Sequence, residues 1–110
     1  MSEHHDIVCL KVIYDSIEKI EKFTKDNTYD DFYNDDKTID SVLMNLIVIG
    51  EEANKLTEEF KDAHEEIDWY RIRGFRNRIA HDYGGTNLKI VWQILTINIP
   101  ELKTYLEKII

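Results

Sequence analysis

The 110-residue sequence predicts an all-α fold, an up-and-down bundle of four to five helices filling one domain, residues 1–110. Three observations predict it. Apolar residues recur at three- and four-residue steps along most of the chain. One proline and four glycines leave few interruptions, which favours long helices over a turn-rich β fold. An apolar fraction of 43% beside a charged fraction of 33% is ordinary for a globular domain. A domain of this size buries a workable core without metal or disulfide support.

The first helix is expected from about Asp6 to Lys25, with Ile7, Leu10, Tyr14, Ile17 and Ile20 on its apolar side. Residues 26–36, DNTYDDFYNDD, break that period and read as a loop, pinned to the bundle by Tyr29, Phe32 and Tyr33. A second helix is expected from about Thr38 to Phe60. Val42, Leu46, Ile49, Ala53, Leu56 and Phe60 repeat at alternating steps of four and three, the pattern of helices packing at shallow angles. Its first half, VLMNLIVIG, is apolar nearly all round, so something must cover every side, and a second copy of the chain is the expected cover.

An acidic linker, Lys61 to Asp68, leads to a third helix with Asp68 as its N-cap and Gly84-Gly85 as its stop. A fourth starts near Asn87 and presents Leu88, Val91, Trp92 and Leu95. Pro100 kinks it or opens a fifth, lined inside by Leu102, Leu106 and Ile109.

Charge and cysteine usage narrow the function classes. Cys9 is the only cysteine, so no internal disulfide is possible and a small core residue in a reducing compartment is expected. No leader-like or membrane-spanning stretch is visible, and a cytoplasmic, soluble protein is expected. The net charge of −8 opposes non-specific nucleic-acid binding. It is unevenly spread: residues 1–68 hold 7 basic and 19 acidic side chains, whereas residues 69–83 hold four Arg against Asp82 alone. A cationic island on an acidic body suggests a local anion site.

That island is the third helix. At about 100° per residue, Ile72, Phe75, Ile79 and Tyr83 form a core stripe, and Arg73, Arg76, Asn77, Ala80 and His81 spread over the adjoining sector. The set suits phosphodiester chemistry. Arginine offers a fixed, permanently charged fork for phosphate oxygens. Histidine takes and gives a proton near neutrality. RNA brings its own nucleophile, the 2′-hydroxyl, so no metal is needed. Arg76 and His81, however, diverge by about 140° on one helix. A symmetric dimer that sets two such helices face to face would gather both pairs in one cleft. Spacing alone also fits a solvated helix face, with Tyr83, Trp69 and Trp92 as ordinary packed aromatics.

The run DWYRIRGFRNRIAHDY, residues 68–83, resembles the signature of HEPN domains: Arg, four residues, then His. The Tyr two positions after His resembles the longer form of HepT-like toxins. GEEANKL at 50–56, NLKIVWQI at 87–94 and IPELKTYLEKII at 99–110 extend the resemblance over nearly the whole chain. It implies a homodimeric helical bundle acting as a metal-independent endoribonuclease, the toxin of a toxin-antitoxin pair, on mRNA or tRNA. By position, Arg76 would hold the scissile phosphate, His81 would act as general base or acid, and Asn77, with Arg73, would support the site. Tyr83 looks like the tyrosine that a minimal nucleotidyltransferase antitoxin (MntA type) modifies with AMP.

Two other classes compete. A non-catalytic subunit could hold substrate or nucleotide for a nucleotidyltransferase with the same Arg and His, and a purely structural dimerisation module would need neither. No cofactor and no metal are expected: His4, His5, His64 and His81 lack paired ligand spacing, and His4-His5 reads as a loose polar end. Glu51 and Glu52 read as solvated charges, either of which could help place an arginine.

Overall fold

The computed structural model describes the backbone of residues 2–82 and 87–110, and the side chains of these except residues 2, 3, 78 and 80–82. Every regular element among the described residues is helical: α1 (Ser2–Thr24), α2 (Tyr29–Tyr33), α3 (Asp36–Lys55), α4 (Glu58–Ala63), α5 (Trp69–Asp82), α6 (Leu88–Gln93) and α7 (Ile99–Ile109). The helical bundle is thus as expected. No described helix is long and apolar enough to cross a membrane.

Helix α3 is the axis of the core. Val42, Leu46, Ile49 and Ala53, the residues of its four-three stripe, are fully buried. They meet Leu10, Ile13, Ile17 and Ile20 of α1, Ile72, Phe75 and Ile79 of α5, and Ile99, Leu102 and Leu106 of α7 in one continuous cluster. Cys9 belongs to that cluster, as its apolar setting in the sequence implied. On the first half of α3 the chain's own helices bury Val42, Leu43 and Leu46, while Met44 stays 60% exposed.

The breaks between helices differ from the expected ones, and capping explains why. The segment at 26–36 is not all loop: Thr28 and Asp31 form a reciprocal capping box that starts α2. Phe32 is fully buried and packs against Trp92, as does Tyr29, whereas Tyr33 is mostly exposed. The single helix expected from Thr38 to Phe60 is two. It stops at Lys55, and Thr57 then caps α4 by accepting from the Phe60 N–H. The acidic linker is correspondingly shorter, and Lys61 lies within α4 with its side chain buried and paired to Glu58.

The corner between α3 and α4 is held by α1. Asp6, itself buried, accepts the Thr57 N–H at 2.9 Å and the Thr57 hydroxyl at 2.7 Å. One residue earlier, His5 Nε2 lies 2.9 Å from the Lys55 carbonyl, one of those left open at the end of α3. The N-terminal histidines are therefore not a loose end: α1 begins at Ser2, and His5 is a helix-terminating contact.

At the other end of the chain, α6 passes through a π-helical turn, Ile94–Asn98, into α7. Pro100 sits in the first turn of α7. Its missing N–H and bulky ring disturb a regular helix over the preceding turn, and a widened turn absorbs the misfit. Of the two outcomes expected at Pro100, a kink or the opening of a further helix, the second is observed: Pro100 stands in the first turn of α7, and the bulge precedes it. The expected stop of α5 at Gly84-Gly85 lies outside the described residues.

Candidate functional site

Helix α5 is anchored at its start and along one side. Asp68 accepts the Arg71 N–H at 3.0 Å, the expected N-cap contact. The Trp69 indole N–H donates to the His64 carbonyl at 2.9 Å, and its ring packs against Phe60. Ile72, Phe75 and Ile79 then face the core. Gly50 of α3 sets the distance between the two helices. A Cβ at that position would stand 3.1 Å from the Ile72 carbonyl oxygen and 3.2 Å from the Arg76 nitrogen. A Cβ that close to backbone atoms would push the helices apart by a few tenths of an ångström, so glycine favours this approach.

This approach brings the outward edge of α5 beside the next residue of α3, Glu51. Arg76 Nε donates to Glu51 Oε1 at 2.9 Å, with both side chains about half exposed. The Nε contact fixes the plane of the guanidinium, and no contact among the described residues takes its terminal nitrogens, whose four further N–H groups can meet an anion. Arg76, Asn77, Arg73 and Glu51 line one open groove of about 590 Å³, with Lys55 and Tyr70 at its margins. With Arg76 paired to Glu51 and Lys55 to Glu52, Arg73 leaves the groove a net cation on a chain of net charge −8.

Of the residues selected from the sequence, Arg73, Arg76 and Asn77 therefore share one groove. His81 continues the same helix; its side chain, like all of Tyr83, lies outside the described residues. Glu51, weighed in the sequence only as an option beside Glu52, is the carboxylate that meets Arg76. Glu52 pairs instead with Lys55 at 3.4 Å. Tyr70 was not selected, although its four-three-four register with residues 74, 77 and 81 was legible. Among the described residues no group of three or more His, Cys, Asp or Glu side chains is placed to hold a metal ion.

An all-helical bundle that packs one arginine-rich helix against a glycine-glutamate step of its neighbour, and opens a cationic groove there, is the class of protein that fold and site define. The chain belongs to the HepT-like ribonuclease family, whose model (Ribonuclease HepT-like) matches residues 13–109. It is 35% identical over 100 residues, 91% of each chain, to the "Probable ribonuclease HepT" of Thermococcus cleftensis. It is 34% identical over 101 residues to a candidate RNase of Methanocaldococcus jannaschii, covering 89% of this chain and 84% of the relative. A longer protein of that organism, named as both a gamma-glutamylcyclotransferase and a candidate RNase, is 34% identical over 102 residues. The match takes in 93% of this chain and 46% of the relative. No solved structure matches the chain. At the level of the family, the activity is that of a ribonuclease.

Proposed function

We propose that this protein is the toxin of a toxin-antitoxin pair, an endoribonuclease that cleaves mRNA or tRNA without a metal ion in a cleft shared by two copies of the chain. The observation that carries this reading is the Arg76 guanidinium, which Glu51 holds through Nε and whose terminal N–H groups can meet a phosphate in a positive groove. In the proposed reaction His81 takes the proton of a ribose 2′-hydroxyl. The resulting oxygen attacks the adjacent phosphorus, Arg76 stabilises the charge that builds on the phosphoryl oxygens, and the 5′-oxygen leaves with a proton returned by an imidazolium. One His81 serves both steps, since the imidazolium formed when it takes the 2′-hydroxyl proton is the acid that returns one to the leaving oxygen. Asn77 and Arg73 orient the strand.

Silencing belongs to the same proposal. A minimal nucleotidyltransferase antitoxin of the MntA type would transfer AMP from ATP to the Tyr83 hydroxyl, releasing pyrophosphate. The added nucleotide would occupy the cleft, and its phosphate would compete for Arg76.

The test is cleavage of RNA by purified protein in EDTA. Wild type is expected to cut; Arg76→Ala and His81→Ala are each expected to lose at least about a hundredfold in rate while keeping the wild-type circular dichroism. Binding of RNA without cleavage, unaltered by either substitution, would favour the accessory-subunit reading instead.

A further inference from the structure

Tyr70 is 82% exposed, and neither the core nor the proposed chemistry uses it. Helical register places Tyr70, Gly74, Asn77 and position 81 on one strip of α5 about 60° wide and about 16 Å long. Arg73 sits over the tyrosine ring, 6.0 Å from its centroid, which braces one face and leaves the other open.

Gly74, one turn further on, has no role in folding that the described residues reveal. A Cβ there would meet nothing within 4 Å, and no described glycine has a positive φ. A glycine inside a helix costs about 0.5–1 kcal/mol relative to alanine, so the gap it leaves calls for another reason. Two grooves adjoin at this gap. The one already described holds Arg73, Arg76 and Asn77; the other, across α5, holds Arg71 paired with Asp68 at 3.8 Å, the amides of Gln93 and Asn98, and the apolar Phe75, Ile90 and Ile94; Tyr70 and Gly74 border both. A lane therefore crosses α5 at Gly74, beside a flat aromatic ring, with Arg73 and Asn77 toward one groove and Gln93 and Asn98 toward the other; a third groove that Tyr70 and Arg73 also line carries Glu58, Asp62, Glu65, Glu66 and Asp68. A nucleic-acid backbone would be repelled by those carboxylates and is expected on the Arg76 side of Tyr70, where Arg73, Arg76 and Asn77 lie.

The geometry points to a base-stacking shelf: Tyr70, braced by Arg73 and bordered by the gap at Gly74, seats a nucleobase of single-stranded RNA whose backbone runs on to Arg76 beyond the next nucleotide. This rests on the nuclease reading and adds a subsite to it, one that only a strand longer than a dinucleotide can fill. About 9 Å of helix axis separates Tyr70 from Arg76, so the shelf takes a base outside the dinucleotide held at the phosphate site.

The experiment compares steady-state cleavage of an unpaired RNA oligonucleotide with that of a dinucleotide. Tyr70→Ala is expected to raise KM for the oligonucleotide roughly ten- to a hundredfold, the loss of one stacked base, with kcat retained. Tyr70→Phe should restore the wild-type KM, and neither variant should alter dinucleotide cleavage. Gly74→Leu, which fills the lane, should raise the oligonucleotide KM without lowering the melting temperature.

Wild-type KM values in both Tyr70→Ala and Gly74→Leu would overturn the shelf and leave the nuclease standing. Dissociation of a wild-type dimer by Tyr70→Ala would overturn it too, by making this surface a contact between copies. If wild type cuts no RNA, the nuclease reading falls, and anisotropy of a labelled oligonucleotide decides the shelf alone: weaker binding by Tyr70→Ala supports it and equal binding removes it.

Discussion

Gly50 and Gly74 occupy helix interiors, yet their surroundings demand opposite responses to the same substitution. At Gly50 a methyl group would press on backbone atoms of α5, which cannot swing away as a side-chain end can. Gly50→Ala is expected to cost about 1–3 kcal/mol in urea denaturation, by forcing α3 and α5 apart. It should also loosen the Glu51–Arg76 contact that depends on their approach. Gly74→Ala should gain about 0.5–1 kcal/mol, since nothing opposes the new methyl and the helix loses an entropic burden. Neither sign was legible in the sequence, where both appear simply as glycines within an amphipathic period. Arg76 and Asn77 could be picked out there by residue type; the carboxylate that orients Arg76 lies 25 positions away and depends on helix packing. Cys9 carries a pH consequence of its own. Burial first, then the hydrogen bond and charge of Glu52, push its thiol from 9.0 up to about 11. The unfolded thiol therefore ionises before the folded one, and the contribution present below pH 9 is lost as pH rises to about 11. The loss is roughly 2–3 kcal/mol, and it is expected to disappear from the difference between wild type and Cys9→Ala followed by denaturation across that range.

At the scale of elements, the α3–α4 corner shows why helix ends resist reading. Apolar spacing runs from Val42 through Leu56 to Phe60 as though one helix continued, and no glycine or proline marks the break. The break is enforced by Thr57, which caps α4, and by Asp6, a residue 51 positions earlier that holds both the Thr57 N–H and its hydroxyl. Long-range hydrogen bonding of this kind leaves no local signature. The capping box of α2 did leave one, Thr28 three residues before Asp31, but it lay within a polar stretch whose composition suggested loop. The core stripes, by contrast, were legible because burial is periodic and local: every residue of the α3 stripe from Val42 to Leu56 is buried. If Asp6 is the clamp described here, Asp6→Ala should cost about 1–3 kcal/mol by leaving its partners unsatisfied. Hydrogen exchange should then quicken first in α4 and at Thr57, while the α3 stripe stays protected. Uniform acceleration across the core would instead make Asp6 a general packing residue.

At the scale of the whole molecule, the decisive quantity is the angle between Arg76 and His81. Five residues of helix turn their Cα positions about 140° apart, so one copy of α5 offers a phosphate either group far more easily than both. Two copies remove the difficulty if α5 of each faces the other, because the arginine of one chain can then work with the histidine of its partner. This arrangement makes a prediction that a single-chain site cannot share. Arg76→Ala and His81→Ala protein should each be inactive alone, yet active when unfolded together and refolded as a mixture. Random pairing makes half of the dimers mixed, and each mixed dimer keeps one intact arginine and one intact histidine on opposite chains. About a quarter of wild-type activity is therefore expected from the mixture if each wild-type dimer has two independent sites. No recovery, in a mixture shown by mass spectrometry to contain mixed dimers, would place both groups in the same chain and require α5 to distort near its end. Recovery that scales with the mixed fraction as the input ratio is varied would establish that the site exists only between copies. The same titration separates catalysis from mere phosphate binding, since a mixed dimer that binds RNA but cuts none retains the groove and lacks the chemistry.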